Sequence, residues 1–182
     1  QGVASASFLE ITPDAQSAGM AGTGLAITDN GSTAIFHNAS TIAFSQDVMG
    51  ASYSYADINK DFGMHSASLF YRIGREGKHG FSVGFRHYKD ADFHWQDGAE
   101  DHARAWNVEA AYFRNVAKNL SLSLTLRYLQ AKAYKDADSK GSVSVDLGAS
   151  YHRSMGILDE MASWTIGFPV SYTHLRAHET CA

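Results

Sequence analysis

Residues 120–129 read Leu-Ser-Leu-Ser-Leu-Thr-Leu-Arg-Tyr-Leu. Leu120, Leu122, Leu124 and Leu126 alternate with Ser121, Ser123, Thr125 and Arg127, which is a period of two. On a helix those leucines would scatter around the circumference and leave no polar face, so the stretch is a strand. The same alternation recurs in Ser142 to Tyr151, where Val143, Val145, Leu147 and Ala149 are the apolar set, and in Phe81 to Arg86. Less regular versions cover Met49 to Tyr55, His65 to Ile73 and Trp106 to Arg114, and a seventh strand begins near Ser163.

Composition agrees with an all-β chain. The 182 residues hold 9 Tyr, 10 Phe, 3 Trp and 16 Gly but only 2 Pro, a usage that favours strands over helices. The formal net charge is −4 and no Lys/Arg stripe is present, so nucleic-acid binding has no electrostatic footprint. No window approaches the roughly 18 consecutive apolar residues that a membrane-spanning helix needs. Strands cross a bilayer under a different rule: lipid-facing and lumen-facing residues alternate over segments of roughly ten.

The set opposite the leucines is mostly Ser, Gly and Thr with occasional charges, which suits a wet lumen. A soluble sandwich or lipocalin-like barrel would need an apolar inner face. Tyr55, Tyr71, Trp106, Tyr112, Tyr128 and Tyr151 lie near strand ends, as interfacial aromatic girdles do. The fold expected is therefore an antiparallel up-and-down transmembrane β-barrel, incomplete here at six or seven strands, located in the bacterial outer membrane with outer-membrane lipid as a partner. Short turns are read at Gly74 to Gly80, Asn115 to Asn119 and Arg153 to Asp159. Longer polar loops are read at Ala56 to Gly63, Lys89 to His102 and Lys132 to Gly141, and these should face outward. Leu122 and Leu124 then face lipid, while Ser123 and Thr125 face the lumen.

The beginning of the chain differs. Phe8 to Phe44 is rich in Gly, Ala and Thr and ends in a short helical signal with Asn38 or Ser40 as cap. The run Pro13, Asp14, Ala15, then Ala18, Gly19, Met20, Gly22, Gly24 and Ala26, followed by Phe36-His37-Asn38-Ala39 and Ala43-Phe44, resembles the opening of PorV/PorQ-type proteins, within the FadL-like group of outer-membrane barrels. The resemblance spans about residues 8 to 168 and is strongest before residue 56. It implies that residues 1–46 form a plug-like hatch, with Pro13, Asp14, Gly19, Gly22, Gly24 and Asn38 as its structural or gating motif, and that 47–168 are the first barrel strands. Where the family usually has Asn-Pro-Ala, this chain has Asn38-Ala39-Ser40, and loss of that proline predicts a looser turn into the short helix.

The resemblance further implies a component of the type IX secretion system that receives cargo and passes it to surface attachment machinery. Its partners would be the secretion translocon and cargo sorting domains. A FadL-like channel for fatty acids or other hydrophobic compounds is the second expectation, and an outer-membrane hydrolase the third. No nucleophile elbow or repeated acid pair stands out, so no catalytic residue, cofactor or metal is assigned. Gly19-x-x-Gly22-x-Gly24 is not in dinucleotide-binding order. His87, His94 and the acids from Asp90 to Asp101 read as a solvated loop. Arg86, Glu109, Arg127 and Asp146 fall on the lumen-facing set; of a buried network, a substrate path and a hydrated wall, the wall is the expectation, because charges are cheap where water is present.

From Pro169 onward the alternation stops, and His174-x-x-x-His178 and the lone Cys181 follow. SYTHLRAHET resembles translated sequencing-adapter read-through. Residues 169–182 are therefore expected to be a non-native tail, with the natural barrel continuing past Phe168 and any signal peptide already removed before Gln1.

Overall fold

Alternation written along the chain becomes an antiparallel sheet. The computed structural model describes residues 18–19, 31–59, 62–74, 78–89, 93–94, 100–101, 104–132, 140–157 and 160–174. Its strands are β1 (Met49–Asn59), β2 (Phe62–Ile73), β3 (His79–Lys89), β4 (Phe93–His94), β5 (Glu100–Asp101), β6 (Arg104–Ala117), β7 (Leu120–Lys132), β8 (Lys140–Ile157) and β9 (Glu160–His174). Seven of them form one antiparallel sheet in the order β1-β2-β3-β6-β7-β8-β9, and β4 and β5 make a separate two-residue hairpin between β3 and β6. The fold is all-β and up-and-down, and the sheet is open, with β1 and β9 at its edges.

Several boundaries differ from the sequence reading: β6 runs to Ala117 and β8 to Ile157, into residues read as turns, β4 and β5 fall within the loop read over Lys89 to His102, and β9 starts at Glu160, ahead of Ser163. The strands extend into the loop expected over Ala56 to Gly63: Ala56 pairs with Met64 and Asp57 with Gly63 before a register shift at Asp57/Asn59. The expected break at Pro169 is not a structural one either. β9 stays paired with β8 through it, with Phe168 opposite Ala149, Pro169 opposite Gly148 and His174 opposite Val143. Proline is tolerated there because an edge strand has one row of backbone groups outside the ladder.

The register aligns the apolar residues into rows that cross the sheet. One row runs Leu69, Val83, Ala110, Leu126, Val145; the next holds Tyr71, Phe81, Tyr112, Leu124 and Leu147; a third holds Ala67, Phe85, Val108, Tyr128 and Val143. The large members of these rows are exposed apart from half-buried Val145. The opposite face is buried and largely polar: Ser66, Ser68, Ser82, Arg86, Asn107, Glu109, Ser121, Ser123, Thr125, Ser142, Ser144 and Ser150 lie on it. Serines opposite one another bond across β1 and β2, Ser52 to Ser68 at 2.8 Å and Ser54 to Ser66 at 2.6 Å.

What buries the polar face is the N-terminal segment. Two 3-10 turns, η1 (Ala34–Phe36) and η2 (Ala39–Phe44), lie against β3, β6, β7 and β8. The small apolar core of the described residues is their contact with the sheet: Ala34, Ile35, Phe36, Ala39, Ile42 and Ala43 meet Phe70, Ala111 and Phe113.

Candidate functional site

The segment is seated by a side chain the sequence singled out. Asn38 caps η2: its Oδ1 accepts from the Ser40 amide at 3.2 Å and from the Ser40 hydroxyl at 2.7 Å. Its Nδ2 donates to the Ala149 carbonyl at 3.3 Å and to Ser150 Oγ at 3.1 Å on β8, so one amide joins the turn to the sheet. Ser40 Oγ and Ser150 Oγ also lie 2.5 Å apart. The turn is tied and buried with Ala39 where the resemblance would put a proline: the amide and hydroxyl of Ser40, the next residue, both bond Asn38.

Strand glycines make room for this seat. A Cβ on Gly148 would stand 2.3 Å from Asn38 Oδ1 and 2.4 Å from Ser123 Oγ, and one on Gly84 would stand 2.8 Å from the Phe36 ring. Glycine weakens a strand interior and is kept where another backbone or side chain approaches closely.

The far end of the segment is fixed by Arg72 of β2. Its guanidinium donates to the Ala43 and Asp47 carbonyls, each at 3.3 Å, and to the Ser45 carbonyl. Asn115 Nδ2 donates to the same Ala43 carbonyl at 3.3 Å, and Phe44 stacks on His152 with centroids 5.1 Å apart. These contacts satisfy carbonyls that the end of a short helical turn leaves orphaned.

Beneath η1 the four charges expected on this face are joined to one another. Glu109 Oε1 receives Arg86 at 2.5 Å, Glu109 Oε2 receives Arg127 at 3.0 Å, and Arg127 reaches Asp146 Oδ2 at 2.9 Å. Glu109 and Arg127 are direct cross-strand partners. Arg86 and Asp146 sit on the diagonals, since Gly84 faces Glu109 and Thr125 faces Asp146, within reach of long side chains. Asn107 Nδ2 also donates to Glu109 Oε1 at 2.6 Å, and Arg86 lies over the Phe36 ring at 5.1 Å. Arg86 and Glu109 are 1% and 0% exposed. The expected hydrated wall is therefore replaced by a buried ion-pair network, because the N-terminal segment takes the space that water was assumed to fill.

A cavity of about 190 Å³ remains between the segment and the network, lined by Ile35, Phe36, His37, Asn38, Arg86, Ser123, Thr125, Arg127 and Asp146 among others. No family model matches the chain, and no curated protein matches it. The cavity wall is polar and charged, and Arg127 Nε and Asp146 Oδ1 next to it have no hydrogen-bond partner among the described residues. Two acids balanced by two arginines make the wall neutral overall.

Gly19 lies in a two-residue helical stretch and is exposed, while Pro13, Asp14, Gly22 and Gly24 fall outside the described residues. Among the described residues no group of three metal-ligating side chains occurs, and the side chains of the acidic loop between β3 and β6 are not described. No helix among the described residues is long and apolar enough to cross a membrane, which says nothing of strands. Sequence reasoning missed Arg72, Asn107 and Ser150, and the two glycines Gly84 and Gly148; a glycine inside an alternating strand was the one available signal.

Proposed function

We propose that this sheet is part of the wall of an outer-membrane β-barrel, with its apolar face against lipid and its polar face turned to an interior closed by the N-terminal segment. The observation that carries this reading is the inverted polarity of the two faces. Fully burying a Leu, Val or Phe side chain contributes roughly 1.5–3 kcal/mol, and this sheet leaves whole rows of them exposed while enclosing serines and ion pairs. In water that arrangement forgoes the main driving force of folding; in a bilayer it is the expected one.

Dimensions support it. On β7 Leu120, Leu122, Leu124, Leu126 and Tyr128 occupy alternate positions over nine residues, and a tilted strand needs about 9–11 to cross the hydrocarbon. Aromatic residues flank the rows on the open face. Tyr55, His65, His87, Trp106 and Tyr128 cluster toward one end, with Tyr55–His65 centroids at 4.7 Å and Trp106–Tyr128 at 5.6 Å. Phe81, Tyr112 and His79 cluster toward the other, with Phe81–Tyr112 at 5.2 Å. A bilayer tolerates no exposed sheet edge, so the reading requires further strands to close the sheet.

The protein in this reading is a non-enzymatic component of the type IX secretion system that receives cargo, or its sorting domain, and passes it to the attachment machinery. The residue pattern from Pro13 to Phe44 supports that role. A polar, charged cavity also favours polar cargo over the fatty acids of a FadL-like channel, whose sites are mostly apolar. Glu109 and Asp146 held by arginines are poor candidates for hydrolytic acids. Carbonate extraction of membranes tests the location: the full-length protein should stay with the outer membrane, and release into the soluble fraction sinks the barrel. Pull-down from native membranes with cargo sorting domains and translocon subunits tests the role, and a clean negative there removes secretion while leaving the barrel standing.

A further inference from the structure

The arginines of this sheet divide by face. Arg72, Arg86 and Arg127 lie on the covered face and are spent on carbonyls or carboxylates. At the turn end of the sheet a second set has no such engagement among the described residues. Arg114 near the end of β6, Lys118 in the turn between β6 and β7, and Arg153 of β8 are all exposed, and none has an ion-pair partner among the described residues. Arg114 stands opposite His79 and Leu122, one row beyond Phe81, Tyr112 and Leu124 on the open face. Arg153 follows Tyr151, which pairs with Leu120, so it emerges beside the turn that holds Lys118. Asp47, just before β1, is an exposed acid at this end, and it lies on the far side of β2 and β3 from the three cations.

Along β6 the open face thus runs Val108, Ala110, Tyr112 and then Arg114, which stands in one row with His79 and Leu122. We propose that the turn end of the open face binds the headgroups of anionic phospholipid through Arg114, Lys118 and Arg153, with Phe81 and Tyr112 seated at the adjoining acyl boundary. This rests on the membrane reading above. Guanidinium groups hold phosphate oxygens in a bidentate fork, and a lysine adds a point charge. Aromatic rings sit at headgroup level because they offer an apolar body and a polar edge. Continuity with the apolar rows sets the depth: the cations fall where acyl chains give way to phosphate.

The test uses full-length protein reconstituted into phosphatidylcholine vesicles with and without phosphatidylglycerol. Phosphatidylglycerol should strengthen binding at low salt, and added salt should remove the advantage. Neutralising a basic residue near an anionic surface should weaken that preference about fivefold, so Arg114→Gln, Lys118→Gln and Arg153→Gln should each do so, while Arg114→Lys keeps most of it. Phosphatidylglycerol should also co-purify with the wild type and be lost from the triple variant. A triple variant that inserts normally and keeps the full preference overturns the proposal and leaves the barrel intact. Failure to insert into either vesicle overturns both, and that outcome is separate because it appears in the wild type.

Discussion

β7 carries two chemistries on one strand, and the contrast between them is the most instructive feature of the molecule. Ser121, Ser123 and Thr125 are 0%, 6% and 5% exposed, while Leu122, Leu124 and Leu126, their immediate neighbours, are 45%, 43% and 52% exposed. A strand whose serines are buried and whose leucines are not turns its polar side inward. The polar side is then organised as other proteins organise a core: buried polar groups need partners, and hydroxyl pairs, an amide cap and ion pairs supply most of them, Arg127 Nε and Asp146 Oδ1 at the cavity excepted among the described residues.

The strongest way to break the polar side is to remove its centre. Glu109→Ala leaves Arg86, Arg127 and Asp146, with Arg86 enclosed and its principal acid gone. Removing one member of a buried pair costs about 3–5 kcal/mol, and denaturation followed by tryptophan fluorescence should show a loss of that size. Replacing both partners, Arg86→Met with Glu109→Leu, should cost less than Glu109→Ala alone, since Arg127 keeps Asp146. If the double substitution is the worse, the pair contributes stability in its own right.

The apolar side is better tested along the strand than across it. Ser123 was expected to be a tolerant lumen position, but its Oγ lies against the Gly148 notch and Asn38 beyond it, so an arginine there would displace the N-terminal segment whatever the solvent. Leu126 and Gln130 share the open face of β7 and differ in depth. Leu126→Arg should cost about 2–4 kcal/mol of folding into bilayers and Gln130→Arg about 0–1 kcal/mol. Equal costs at the two positions would mean that lipid depth does not set the penalty, and the membrane assignment would fail.

Much of this was legible in the alternation itself. The strands β1, β2, β3, β6, β7 and β8, the polarity of the two faces and the identity of the four charged residues all follow from a period of two. What alternation does not contain is register. Arg127 faces Glu109 only because β6 and β7 are offset as they are, and a slip of one residue would send every side chain to the other face. Nor could it show that the space above the charges is occupied by the N-terminal segment. Gly84 and Gly148 carried that information as positions where a side chain is missing, which a single sequence does not distinguish from ordinary small residues. The β1–β2 hairpin was misjudged for a related reason: Ala56 and Asp57 look like loop, and pairing with Met64 and Gly63 overrides their weak strand preference.

Gly148→Ala probes where the two regions meet. Its added methyl would require Asn38 or Ser123 to shift, and overpacking of this kind costs about 1–3 kcal/mol. The expected signature is loss of protection from proteolysis within Gly31–Ser45 before any loss of the sheet. Combined with Asn38→Ala, the cost should be clearly less than the sum, because both changes act on one contact.

The smallest effect compares one hydrogen bond on each face. Ser40 and Ser150 bond at 2.5 Å, and both residues are fully buried; Tyr53 OH and His65 Nδ1 bond at 2.8 Å on the open face, where Tyr53 is exposed. A buried neutral hydrogen bond contributes about 0.5–1.5 kcal/mol net, and losing one partner strands the other. Ser40→Ala should therefore lower stability by about 1 kcal/mol, since Asn38 Oδ1 and Ser150 Oγ each lose one buried hydrogen bond while Asn38 Nδ2 still donates to Ser150. Tyr53→Phe should change stability by less than about 0.5 kcal/mol, because an exposed surface position has little to lose. The order matters more than either value. A Tyr53→Phe cost equal to that of Ser40→Ala would mean that water cannot reach His65 when the phenol is gone, and that the aromatic cluster at that end of the sheet is covered by protein and not by a wet lipid interface.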